Sequence, residues 1–380
     1  MELLLSKEET LYLVNRLNDF YGDINSIQDY FIKRKKEKVR GIDPNKYKDY
    51  IFDDYSMQPK DMSFSCQILD GDFFQEFCQV ITSLPLESQI GRRINVGIKE
   101  NHTGKYVALV RISSPVLNVK PRNEIFGRTL RNTDVNDYMM NGSIIVPVQP
   151  FGYNYLGGKL GALFCVSNES VDLIHQKYSK KYCFFETTSL YGNIKSSSQY
   201  DGLEPMIKYH GLTNSDLFLT PNKDVYFEVR DVVRKYYGKP EWGNSLVDPI
   251  PSGPKMRELT KMISILTNHL KEYDPEKHKE FVTFQKEKMK AKTQKRYYYS
   301  TFGHKKENII QHITSGGSVP LVRDEPERYD FHNLIEWWKV KAQKRYEKLE
   351  FLGDIRKDIE IYTEEKLNKK LEELHGDMIR

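Results

Sequence analysis

Two stretches of the chain gather residue types that can do chemistry. The first, Gly152, Tyr153, Asn154, Tyr155, Leu156, Gly157, Gly158 and Lys159, separates a strand-like run, Ser143 to Val148, from LGALFCVSNESVDLIHQKY, whose apolar positions suit a mostly buried helix. Glycines in a strand-to-helix loop let the backbone approach a ligand, and the free amides and positive dipole end of the helix can hold an anion such as a pyrophosphate. The loop departs from the nucleotide-binding pattern GxxxxGK[ST]: Gly158 takes the lysine position and Lys159 is followed by Leu160, which leaves no hydroxyl for magnesium. An ATPase is therefore disfavoured. The alternative is that Gly157, Gly158 and Gly161 only let a buried helix pack tightly.

The second stretch is a hydroxyl cluster. Glu186, Thr187, Thr188, Ser189, Leu190, Tyr191 and Gly192 leave an apolar strand, KYCFF, and Ser196, Ser197, Ser198, Gln199 and Tyr200 follow. Strand ends that face loops often carry sites, and such groups can orient an amine, relay a proton through Tyr191 or Tyr200, or bond a base edge. Ser and Thr also populate ordinary turns, which is the plainer reading of the same residues.

A third feature is charge. The chain has 380 residues and a net charge of +5, yet Lys277 to Lys306 alone carries ten basic residues against two acidic ones, a local +8 that leaves −3 for the remainder. Within it, FVTFQKEKMKAKTQKRYYYSTFGHKK places Tyr297, Tyr298, Tyr299 and Phe302 directly after Lys295 and Arg296. Lysines and arginines neutralise phosphates and aromatics stack on unpaired bases, so Lys288, Lys290, Lys292, Lys295, Arg296 and Tyr298 are candidates for nucleic-acid contact. A solvated helix face followed by a strand whose tyrosines pack on the core fits the segment as well. A shorter basic cluster runs from Lys33 to Arg40.

These features need elements to hold them. Ser6 and Glu9 have the form of a capping box, and helical spacing continues to about Arg40, ending at Gly41 and Pro44. From about Met62 the texture changes to short apolar runs: Phe64 to Leu69, a helix from Phe73 to Ile81, and a β-hairpin of INVGIKE and KYVALVRI around Asn101 to Gly104. After Thr220 the spacing is mostly helical again, with helices over Asp224 to Tyr237, Lys255 to Tyr273 and Pro275 to Gln294, and one from Phe331 into the last charged residues. Trp337 and Trp338 fit docking of that last helix on the core.

Exclusions come from composition. No apolar run approaches the roughly 20 residues of a membrane span, and the opening residues lack the form of a secretory signal, so a cytoplasmic location is expected. Cys66, Cys78, Cys165 and Cys183 occur singly in apolar contexts and the nine histidines are scattered, which suggests free buried thiols and no metal site.

The succession IIVPVQPFGYNYLGGKLGALFCVS, KYCFFETTSLYG, SSQYDGL and YHGLT resembles the GNAT-like acyltransferase group that contains phage Mom-type DNA-modification proteins and the Druantia DruA family. The resemblance covers roughly Met62 to Asp216. It implies an α+β fold: a GNAT-like mixed sheet core over 61–220, with a helical leader over 1–60 and a mostly helical region over 221–380. In such folds a central strand precedes a helix whose N-terminal loop holds the pyrophosphate of an acyl-CoA, and the hairpin falls at the second and third core strands. The matching stretch places Asn154, Gly157, Gly158 and Lys159 at the loop for acyl-CoA or a related donor, and Thr188, Ser189, Tyr191, Ser198, Gln199 and Tyr200 near the reacting groups. The implied function is transfer of an acyl-type group to an amine on a DNA base, in a phage or defence setting and with partner enzymes of a DNA-modification pathway. A non-catalytic nucleic-acid-binding protein on the same scaffold, and an RNA- or protein-directed acyltransferase, are the alternatives.

Overall fold

The computed structural model of the chain describes residues 2–87, 91–190, 197–238, 255–291 and 293–378. Tyr191 and Lys292, both singled out above, lie outside the described residues.

The protein is a mixed α+β structure. Its main sheet has seven strands in the order β1 (Phe64–Ile68), β2 (Arg93–Glu100), β3 (Tyr106–Ser113), β4 (Met139–Pro147), β5 (Phe184–Ser189), β9 (Arg296–Ser300) and β6 (Lys208–Leu212). All neighbours are antiparallel except β4 and β5, which run parallel. The remaining strands, β7 (Leu217–Phe218) and β8 (Lys290–Ala291), form a separate pair. β2 and β3 are the expected hairpin, with Val96 opposite Val110 and the turn closed by Gly104 at φ +68°. Every residue of β3 is buried, as befits a strand covered on both faces.

Helices form where the sequence supplies caps. In α1 (Lys7–Gly22) the Ser6 hydroxyl accepts from the Glu9 amide at 3.1 Å while Glu9 accepts from the Ser6 amide at 3.0 Å. The leader is two helices rather than one. Ser26 accepts from the Asp29 amide and starts α2 (Ile27–Val39) anew. Their apolar faces have different partners: Leu13, Val14 and Leu17 of α1 pack with α8 (Lys223–Tyr237), α9 (Lys255–Tyr273) and α10 (Pro275–Lys288), whereas α2 lies against α3 (Gly71–Ile81) and α12 (Glu364–Met378).

The larger core holds β1 to β5, α3, α5 (Phe151–Tyr155), α6 (Gly157–Cys165), α7 (Asn168–Tyr178) and α11 (Phe331–Leu352). A smaller cluster joins α4 (Lys120–Phe126) to Phe184 and Tyr297. Trp338 of α11 is fully buried and donates its indole N–H to the Leu156 carbonyl at 3.3 Å, so it docks the helix. The expected single C-terminal helix is broken at Gly353, whose φ of +69° ends α11; an extended segment separates it from α12. Likewise α10 stops at Lys288, because Lys290 and Ala291 pair with β7.

Most of the basic cluster on α2 is consumed internally. Arg34 pairs with Glu37 and Glu87, Lys38 with Glu87 and Lys33 with Asp29. Lys35 is fully buried; among the described residues its hydrogen-bond acceptors are the Gln79 side-chain oxygen at 3.0 Å and the Leu84 carbonyl at 3.4 Å, and burial pushes its ammonium down from the ordinary 10.5 to about 7. Between those values the unfolded chain holds a proton that the folded one has released, so stability rises with pH there. We expect the wild-type protein to gain roughly 2 kcal/mol from pH about 7 to about 9 relative to Lys35→Met. Denaturant unfolding at the two pH values measures it, and parallel profiles would show that Lys35 titrates normally.

Three of the four thiols, Cys78, Cys165 and Cys183, are buried and Cys66 is half-buried; all are free. Among the described residues no helix is long and apolar enough to cross a membrane.

Candidate functional site

The site forms where two parallel strands part. β4 and β5 pair only through Met139–Phe184, Met140–Phe185 and Asn141–Glu186, and a bond from the Thr187 hydroxyl to the Gly142 carbonyl at 2.8 Å bridges them one residue further. The register of β4 against β3 shifts between Arg111 and Ile112, leaving Ser143 as an extra residue whose hydroxyl bonds the Arg111 carbonyl. Such a bulge bends its strand and re-aims the residues after it. Beyond it the strands diverge around a cavity of about 780 Å³.

Its walls include the end of β4; Thr188, Ser189 and Leu190 at the end of β5; the α5–α6 corner with Tyr153, Leu156, Gly158 and Lys159; Leu84 and Leu86 after α3; Gln199 and Tyr200; Lys370 of α12; and the segment after α11, with Arg356 and Glu360. Leu156 turns the corner at φ +58°, a left-handed conformation uncommon for a branched side chain and frequent at ligand-binding turns. The last segment is strapped on by hydrogen bonds. Asn154 exchanges two of them with the Arg356 backbone, Glu360 N donates to the Gln149 carbonyl and Tyr362 N to the Val80 carbonyl.

The loop residues separate into different roles. Asn154 is fully buried and spends both ends of its amide on Arg356, so it holds the strap and does not line the cavity. A Cβ on Gly157 would stand 2.6 Å from the Phe151 ring and 3.0 Å from Pro147, a packing constraint. A Cβ on Gly158 would stand 2.1 Å from the side-chain oxygen of Gln199, whose nitrogen donates to the Ile145 carbonyl on the open edge of β4. Gln199 thus spans the gap between the strands and lies over the start of α6, which has no capping side chain. Lys159 donates to the carbonyls of Gln199 and Asp201 and so ties this turn to α6. Burial pushes its ammonium below the ordinary lysine value, although Asp201 pulls the other way.

We expect Gly157→Ala to destabilise the fold, since ring and proline cannot yield, and Gly158→Ala to fold normally while expelling the flexible Gln199 end. Circular dichroism and thermal unfolding of the two variants check this; equal destabilisation would mean that Gly158 is a packing glycine too.

Among the hydroxyl residues, Thr188 is exposed at the cavity and Ser189 is buried beside it. Ser198 caps its own turn, accepting from the Tyr200 amide while its amide donates to Asp201. Tyr200 lines the cavity but is otherwise buried, and burial raises its phenol to about 12, offset in part by contacts with Gln199 and Thr187. It stays protonated near neutrality and is a proton donor there. Asp201 is the hub beneath: it accepts from Tyr298 at 2.7 Å, pairs with both terminal nitrogens of Arg296 and faces Lys159. Burial raises its carboxyl, but Tyr298, the Ser198 amide and these cations outweigh that and hold it below the usual range.

The basic aromatic segment is divided. Lys288 and Lys290 are exposed at the end of α10 and in β8; Lys295 is half-buried, and burial lowers its ammonium. Arg296 is half-buried against the Tyr209 ring and salt-bridged to Asp201. Tyr298 is 1% exposed, packed edge-on to Tyr200 inside the sheet, so its ring has no free face for a base. Its strand, β9, lies between β5 and β6 with both faces covered, which is the core-packing alternative raised by the sequence.

Sequence reasoning did not single out Asp201, Arg356 or Glu360. The last two are separated from the loop by some two hundred residues and have no motif spacing, so only the strap reveals them; Asp201 stood within SSQYDGL without a role.

Residues 21–199 match the family model described as Druantia protein DruA. The DruA match is just under half of the chain; it takes in α2, β1 to β5, the α5–α6 corner and Gln199, and stops before Tyr200, Asp201, β9 and the strap. No curated protein and no solved structure matches the chain.

Proposed function

We propose that the cavity between β4 and β5 binds an acyl-CoA or related donor, and that the protein transfers the acyl-type group to an amine on a nucleic-acid base, with DNA as the first candidate, in anti-phage defence. The observation that carries this reading is the parting of the parallel strand pair ahead of α5 and the uncapped start of α6, an arrangement near to what the GNAT-like resemblance leads one to expect. The DruA match supports the defence setting and, with it, partner proteins.

The residues present fit a phosphate-bearing donor. Arg356 reaches the cavity beside Tyr153, its guanidinium 3.5 Å from the ring centroid, and Lys370 and Lys159 add charge against the carboxylate of Glu360. A bound acyl donor would supply an activated carbonyl for the amine to attack. The open edge of β4 offers backbone amides to the developing charge on that oxygen. Tyr200, held protonated, donates to the departing atom, while Thr188 and Ser189 orient the amine, whose own proton passes to water or to a base. The exposed lysines of α10, among them Lys286 and Lys288, give nucleic-acid phosphates a surface.

A second reading, nucleic-acid binding without catalysis, draws on one observation: Gln199 already covers Gly158, the position nearest an incoming pyrophosphate. Mass spectrometry of DNA nucleosides from cells expressing the protein with its partner genes distinguishes the two. A new modified nucleoside that disappears with Tyr200→Phe supports transfer; unmodified DNA with retained nucleic-acid affinity supports the second reading.

A further inference from the structure

A second cavity, of about 430 Å³, opens beside α3 and the β2–β3 hairpin and shares only Leu86 with the first. At its wall stands Arg111 of β3, 2% exposed. Its Nε donates to the Asn95 side chain at 2.8 Å and its Nη2 to the Gln75 side chain at 3.0 Å, both uncharged acceptors, and the guanidinium lies 4.8 Å from the Phe74 ring centroid. Nη1 is buried and has no hydrogen-bond partner, and no carboxylate forms an ion pair with Arg111 among the described residues. Burial lowers its affinity for the proton accordingly.

This differs from the other buried arginines. Arg122 has Glu186 and Arg34 has Glu37 and Glu87, so although each also leaves a buried Nε without a partner, their charges are met inside the fold. A guanidinium out of water is costly unless an anion and hydrogen bonds compensate it, and an unsatisfied buried donor calls for an unseen partner. Arg111 lines the cavity, so an anion bound there would stand against its guanidinium. Lys38, Arg93 and Lys223 also line it, against Asp72 and Glu76; Lys38 is already paired with Glu87, as Glu76 is with Tyr47 and Lys46. The asparagine and glutamine hold the arginine without neutralising it, as a preformed anion site requires.

We propose that this cavity is a binding site for a phosphate group, free or carried by a small molecule of nucleotide size, with Arg111 Nη1 as its buried donor. The volume lies within the ordinary range for small-molecule sites and exceeds what an inorganic anion alone fills. The site stands whether or not the β4–β5 cavity carries out acyl transfer.

The test is calorimetry of the full chain with three probes: inorganic phosphate, a nucleoside monophosphate and the corresponding nucleoside. Binding of either phosphate-bearing probe, lowered about tenfold or more in Arg111→Gln and unchanged in Arg131→Gln, which alters only an exposed pair with Asp134 outside both cavities, supports the site. Stronger binding of the monophosphate than of phosphate assigns a carried group, and the reverse order a free one. If Arg111→Gln does not fold, labelling of wild-type Arg111 with an arginine-specific dicarbonyl, followed by peptide mass spectrometry, replaces it, and protection by the bound probe supports the site. Absence of binding by both phosphate-bearing probes, binding retained in a folded Arg111→Gln, or binding of the nucleoside as strong as that of the monophosphate would overturn it.

Discussion

Arg122→Met is expected to cost the fold about 3 to 5 kcal/mol, the penalty for leaving one member of a buried ion pair without its partner. Arg122 is fully buried and bonds Glu186 at 2.9 Å as well as the carbonyls of Val116 and Leu117, while Tyr297 donates to the other Glu186 oxygen at 2.6 Å. Burial raises the Glu186 carboxyl above the usual range even with Arg122 and Tyr297 opposing it. Without Arg122 that carboxyl rises further and takes up a proton on folding. The variant should therefore regain stability as pH falls from neutral to mildly acidic, the sign expected for an acid whose folded value exceeds its unfolded one. Adding Glu186→Gln, which removes the charge and still accepts from Tyr297, should recover a large part of the loss. Denaturant unfolding of wild type, singles and double closes the cycle, and strictly additive losses would show the pair to be uncoupled. Glu186 is the last residue of β5 that pairs with β4, so this ion pair fixes the point at which the cavity walls begin to part.

If the protein transfers an acyl group as proposed, Tyr200→Phe is expected to lower the transfer rate by about 10² to 10⁴-fold, the usual worth of a positioned proton donor. The phenyl ring keeps its place against Tyr298, so donor and nucleic-acid affinity should change little. With the Tyr200 phenol at about 12, the proposed transfer by the wild-type protein should persist on the alkaline side until the pH nears that value. Single-turnover rates measured across pH test both statements. A normal rate in Tyr200→Phe would leave Tyr200 a packing residue.

What the sequence makes legible is mainly local. The capping box at Ser6 and the hairpin around Gly104 depend on residues a few positions apart and are found where the spacing places them, whereas the expected glycine loop Gly152–Lys159 is instead two short helices, α5 and α6, that meet at Leu156. The Tyr297 to Tyr299 run has the residue types of a stacking platform, yet a strand inserted between β5 and β6 buries alternate side chains on both faces, and only the sheet order decides that. Asn154 shows the same limit: one residue in a glycine-rich loop, it serves a segment two hundred positions away. The basic cluster on α2 looks like a surface in sequence and is mostly spent on Glu37, Glu87 and Asp29. Charges without their partners in view read as free.

Whether the gap between β4 and β5 holds a phosphate-bearing donor is decided by calorimetric titration of the full chain with coenzyme A. Wild type should bind, and Arg356→Gln should bind about tenfold or more weakly, as expected for loss of a charge-assisted contact to phosphate. Gly158→Ala, whose methyl takes the close-approach position at the start of α6, should weaken binding as well while the circular dichroism spectrum is kept. No heat of binding with wild type, or equal affinity in all three proteins, would be incompatible with a donor site in the gap.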